Sequence, residues 1–184
     1  GLKAEDDSYQ NIYQSGYVVG SPIDLENLEL KHGAFHELDR GFDFYAPQTT
    51  VDHQGRRILV GWMGLPEIDY PTDKHGWAHC LTLPRELTVK EEKLFQKPVV
   101  ELKLLRGEKV ETSQKVENET ISLDNFEGDV YELLAEFSDS TAVEFGLELR
   151  VGEMEKTVIK YDAAAKEVVF DRSESGESFA EEFG

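Results

Sequence analysis

The densest group of chemistry-bearing side chains is Asp39-Arg40-Gly41-Phe42-Asp43-Phe44-Tyr45-Ala46-Pro47-Gln48. On a strand, alternate residues share a face. That pattern puts Asp43 and Tyr45 on one side and Phe42, Phe44 and Ala46 on the other. A carboxylate beside a phenol suits hydrogen bonding to a polyhydroxylated ligand. The same pair equally serves as a turn cap and a gap filler. Trp62 closes a run in which Ile58 and Val60 share its face. Packing is the default role of such a tryptophan; stacking on a sugar ring is the other. Trp77, within His75-Gly76-Trp77-Ala78-His79, lies in a loop-like stretch.

Other groups carry less. The chain has 38 acidic residues, and a retaining glycosidase needs two carboxyls about 5–5.5 Å apart. Asp39 and Asp43 are the only acidic pair beside the aromatic group, and an extended strand would separate them by ~13 Å. Spacing therefore yields no catalytic pair. His32/His36 and His75/His79 have a spacing that suits a metal only on a helix. Both pairs stand in strand or loop contexts without a zinc-protease glutamate, so no metal is expected. Cys80, the one cysteine, is expected to be a buried, inert thiol. Asn118-Glu119-Thr120 matches a glycosylation tripeptide of a kind frequent by chance. No glycine-rich phosphate loop occurs.

Strands must position these residues, because alternation is common in the sequence and helical periodicity scarce. Strands are predicted over 13–20, 42–51, 57–62, 81–89 and 93–96, then over 120–123, 130–137, 143–151, 156–161 and 167–170. Asp52-His53-Gln54-Gly55 and Asp162-Ala163-Ala164-Ala165 read as hairpin loops. Pro84 implies an edge or a bulge. Residues 98–106 read as a junction in which Leu102 and Leu105 fit one helical turn. The fold class is all-β.

The net charge over 184 residues is −19. It opposes binding to nucleic acid and to anionic membranes. No apolar run approaches the ~20 residues of a membrane span. One cysteine allows no internal disulfide, which fits a reducing, cytoplasmic setting. All five histidines, both tryptophans and all six prolines fall within 1–98, and most of the negative charge falls after it. Two kinds of sequence are joined here, 1–98 and 99–184.

Three blocks carry a resemblance. They are Asp39 to Thr49, Gly55-Arg56-Arg57-Ile58-Leu59-Val60-Gly61-Trp62-Met63-Gly64, and Gly76-Trp77-Ala78-His79-Cys80-Leu81-Thr82-Leu83-Pro84-Arg85-Glu86-Leu87. In this order they resemble glycoside hydrolase family 32, the invertases, fructosidases and bacterial sucrose-6-phosphate hydrolases. The resemblance implies the last part of a five-bladed β-propeller (1–98) followed by part of a C-terminal β-sandwich (99–184). It implies a retaining β-fructofuranosidase acting on sucrose or sucrose-6-phosphate, with no metal or organic cofactor. The family's nucleophile lies in an Asn-Asp-Pro-Asn motif, its transition-state stabiliser in Arg-Asp-Pro, and its acid/base in a Glu-Cys pair. None occurs here. No catalytic residue is therefore expected in this chain, which should be inactive alone and should need the remainder of the propeller and sandwich as its partner. Asp43 and Tyr45 match family residues that reach into the central funnel, Trp62 matches an aromatic lining it, and Arg85 matches a position read as structural. Arg40, His36 and Lys74 are candidate phosphate contacts, and nothing in the sequence selects among them. The alternative is a non-catalytic carbohydrate-binding or structural β-sandwich module.

Overall fold

The computed structural model describes residue 9 and residues 11–41, 43–138 and 140–178. They form strands and two short 3₁₀ turns, with no α-helix among them. No helix is long and apolar enough to cross a membrane. By contacts the chain divides between Leu102 and Lys103.

In the first unit, β1 (Gly16–Tyr17) pairs with β2 (His36–Glu37). Between them residues 19–33 form an exposed hairpin arm. Its tip closes where Asp24 and Glu29 exchange backbone hydrogen bonds of 2.9 and 3.1 Å. The main sheet contains β3 (Tyr45–Val51), β4 (Arg57–Met63), β5 (Cys80–Leu81), β6 (Arg85–Lys90) and β7 (Lys93–Pro98), with order β3-β4-β6-β7 and β5 also on β4. All pairings are antiparallel. The predicted 81–89 strand is two strands, because Pro84 has no N–H to give to a ladder. The loop between β3 and β4 turns at Gly55, whose φ of 80° favours glycine.

The core of this unit is Leu38, Phe44 and Leu59, with Tyr17, Leu87 and Leu94 packed around it. It sits on the Leu59/Gly61 face of β4, not on the Ile58/Val60/Trp62 face. Gly61 is needed there: a Cβ would lie 2.2 Å from the Phe44 ring. Arg85 closes the rim. Its guanidinium reaches Asp39 at 2.6 Å and Gln96 at 3.0 Å, and lies over Phe44 at 5.4 Å. Arg56 ties the hairpin loop to the 3₁₀ turn Val100–Leu105, reaching both Asp52 and Glu101 at 2.7 Å.

In the second unit β8 (Glu144–Leu149), β9 (Thr157–Asp162) and β10 (Glu167–Asp171) form a sheet in the order β10-β9-β8. Phe145, Leu147 and Leu149 alternate with exposed neighbours, as the sequence predicts. Phe145 packs between Phe137 and Tyr161, at 4.9 and 5.5 Å. The strands predicted over 120–123 and 130–137 are absent, since no segment of the described residues pairs with them.

Candidate functional site

The predicted strand over 42–51 begins only at Tyr45. Phe42 lies outside the described residues. Asp43 and Ala46 have φ of 61° and 44°, and the β3–β4 register shifts between Tyr45 and Gln48. Left-handed residues break the regular pleat, so simple alternation fails here. Asp43 and Phe44 are both buried. Phe44 enters the core, while the turn at Asp43 sends its carboxylate to the hydroxyl of Tyr70.

Tyr45 faces Trp62 directly across the β3–β4 ladder, their rings 6.1 Å apart. This pair continues a line of aromatic groups. Tyr13 stacks on Tyr45 at 4.7 Å, His79 lies 5.0 Å from Trp62, and Tyr70 meets His79 edge-on at 4.7 Å. A carboxylate stands at each end: Glu67 accepts from the Tyr13 hydroxyl, and Asp43 from Tyr70. Aromatic faces bordered by carboxylates can stack on the C–H face of a sugar and accept its hydroxyl protons. The structure thus brings Tyr45 and Trp62 into contact and links Asp43 to them through Tyr70 and His79.

The 64–70 segment supplies Glu67 and Tyr70. Local sequence fixes its end. Pro71 holds Tyr70 extended, at φ −98° and ψ 145°. The Tyr70 N–H donates to Asp73 at 3.2 Å, and the Asp73 N–H returns to the Tyr70 carbonyl at 3.0 Å. The Leu65 N–H donates to the Tyr70 hydroxyl oxygen at 3.0 Å. That oxygen's own proton is thereby directed to Asp43. Burial, then the hydrogen bond to Asp43, push the Tyr70 phenol well above its ordinary range. At the other end the hydrogen bond to Glu67, then burial, raise Tyr13.

Sequence reasoning did not single out Tyr13, Glu67 or Tyr70. The signal for Tyr70 was its place before Pro71 and three residues before Asp73. His79 was weighed only as a metal ligand or a neighbour of Cys80. Its ring instead fills the gap between Trp62 and Tyr70, against Gly64, where a Cβ would lie 2.5 Å from the imidazole. Cys80 is exposed, not buried as expected. It starts a two-residue strand on β4, its sulfur 3.9 Å from that of Met63. Among the described residues no three His, Cys, Asp or Glu side chains gather as a metal site. His36 stacks on Tyr17 at 5.2 Å, and Arg40 lies 3.5 Å from Glu37.

Residues 1–98 match the model of the glycosyl hydrolases family 32 N-terminal domain, and residues 101–184 match that of the family 32 C terminal. A sucrose-6-phosphate hydrolase of Staphylococcus xylosus is 47% identical over 178 residues, covering 96% of this chain and 36% of that protein. One from Bacillus subtilis is 57% identical over 109 residues, covering 58% of this chain and 22% of its own length. Among solved structures, the sucrose-6-phosphate hydrolase of Lactobacillus gasseri superposes with a TM-score of 0.65 at 29% identity. It covers 97% of this chain and 36% of that one. A family 32 β-fructofuranosidase of Bombyx mori gives 0.71 at 27% identity, over 95% of this chain and 36% of that one. The chain thus spans about a third of the length of the Staphylococcus xylosus, Lactobacillus gasseri and Bombyx mori relatives. With both segments of the sequence matched, and strands arranged as in solved members, the chain belongs to glycosyl hydrolases family 32.

Proposed function

We propose that the chain is part of a retaining β-fructofuranosidase that hydrolyses sucrose or sucrose-6-phosphate in the cytoplasm. Residues 1–98 are the closing part of its propeller and residues 99–184 part of its β-sandwich. That the relatives are sucrose-6-phosphate hydrolases supports the substrate class. The observation that carries the reading is the line Tyr13-Tyr45-Trp62-His79-Tyr70 with the buried Asp43 at its end.

In the retaining reaction a carboxylate attacks the anomeric carbon of the fructosyl unit. The bond to the glucosyl oxygen breaks, and that oxygen takes a proton from a carboxylic acid. Water, deprotonated by the same group, then opens the glycosyl ester. The motifs that carry these two groups in the family are absent from the 184 residues, so the chain alone is inactive. Its own residues bind and orient. Asp43 accepts a sugar hydroxyl, Tyr45 hydrogen-bonds close to the acid/base and tunes its ionisation, and Trp62 lines the funnel. No metal or organic cofactor takes part.

Two measurements test this. The chain incubated with sucrose or sucrose-6-phosphate gives no turnover above a heat-killed control; clear turnover sinks the claim that it is catalytically incomplete. Joined to the remaining part of the Staphylococcus xylosus relative, it yields a hydrolase, and Asp43→Asn lowers kcat/KM by roughly 10- to 100-fold, as for a hydrogen bond to a charged group. A folded, inactive chimera, or an unaffected Asp43→Asn, overturns the assignment.

A further inference from the structure

Asp43 is a nearly buried carboxylate, 8% exposed, on a left-handed residue. Both features cost stability. A charge taken from water must be hydrogen-bonded, and a left-handed backbone at a non-glycine residue is strained. The surroundings offset this through a directed hydrogen-bond route. The Leu65 N–H occupies the Tyr70 hydroxyl oxygen as acceptor. The phenolic hydroxyl in turn donates to the Asp43 carboxylate. The backbone of Tyr70 is itself held by Pro71 and Asp73, and its ring is wedged against His79.

We infer that Tyr70 is a positioning residue: its hydroxyl holds the Asp43 carboxylate in one orientation, presenting its other oxygen to a sugar hydroxyl. The inference rests on the proposed role of Asp43 but concerns a different residue, one that touches no substrate. It gives the 64–70 segment a task in ligand binding, and makes the geometry of a polar contact depend on a main-chain N–H two steps away.

The test uses the full 184-residue chain with ¹³C-labelled tyrosine. The Cζ resonance of Tyr70 is assigned by its loss in Tyr70→Phe. In the parent chain Tyr70 ionises later than an ordinary tyrosine, and in Asp43→Asn its midpoint moves down. Asn suits the left-handed position, so this variant keeps the backbone. Binding of fructose and of sucrose-6-phosphate is then followed at the Trp62 indole N–H. Tyr70→Phe keeps the ring against His79 and weakens binding about ten-fold, and adding Asp43→Asn weakens it no further. A merely structural Tyr70 would lower the unfolding midpoint of Tyr70→Phe and leave sugar affinity unchanged. The inference is overturned if the Tyr70 titration ignores Asp43→Asn, or if Asp43→Asn loses sugar while Tyr70→Phe binds like the parent. If the parent binds neither sugar, the role of Asp43 in this chain fails, and the tyrosine titration alone decides whether Tyr70 holds it.

Discussion

At the residue scale, Tyr70 makes stability depend on alkaline pH. Burial, then Asp43, hold its phenol above the ordinary value of 10.0. An unfolded phenol loses its proton near pH ~10, whereas the folded one keeps it longer. The folded state therefore binds more protons there. The stability this contributes is whole below pH ~10 and is lost as pH rises through the folded value. The urea midpoint of the parent chain should fall above pH ~10, and that of Tyr70→Phe less steeply; parallel curves would contradict the coupling. Cys80 gives a simpler check. Being exposed, it should react stoichiometrically with a thiol reagent without denaturant. The chemistry of this region was readable because Asp43, Tyr45 and Trp62 have telling side chains. The path between them was not, since Tyr70 and Asp43 lie 27 residues apart and meet only through two backbone turns.

At the element scale, β4 organises the first unit. Leu59 is 2% exposed, and Gly61 admits the Phe44 ring. Gly61→Ala should lower stability by about 1–3 kcal/mol through overpacking, measured as a shift of the urea midpoint. An unchanged midpoint would mean that Phe44 has room to move. Alternation located β8 well, because one of its faces packs and the other meets water; β4 has one face buried and the other half-buried. It placed Ile58, Val60 and Trp62 on one face correctly, but the fully buried side is the opposite one. It failed at residues 43–46, where positive φ at Asp43 and Ala46 interrupts the pleat. It also over-read 120–137, since apolar alternation marks a strand only where a partner strand completes the ladder.

At the scale of the whole molecule, opposed forces govern association. Large apolar side chains stand in water, among them Leu28 at 83%, Leu104 at 86% and Met154 at 91% exposure. Such surface favours association with whatever covers it. The net charge of −19 opposes contact between copies, and salt screens that repulsion over ~10 Å at 0.1 M. Sedimentation velocity should show smaller species at low salt and larger ones as salt rises, with dye binding to apolar surface at low salt. A monomer indifferent to salt that binds no dye would show the exposed residues to be covered within the chain.

The arm between β1 and β2 has a consequence of practical use. Asp24 and Glu29 exchange both backbone hydrogen bonds across its tip, so the ends of any inserted peptide are already brought together. Lengthening such a closed loop costs only ~0.6 kcal/mol per doubling. The tip carries none of the aromatic or carboxylate groups of the candidate site. A fluorescent or affinity tag placed between Glu26 and Asn27 would give the chain a handle at which sugar binding and assembly can be watched independently.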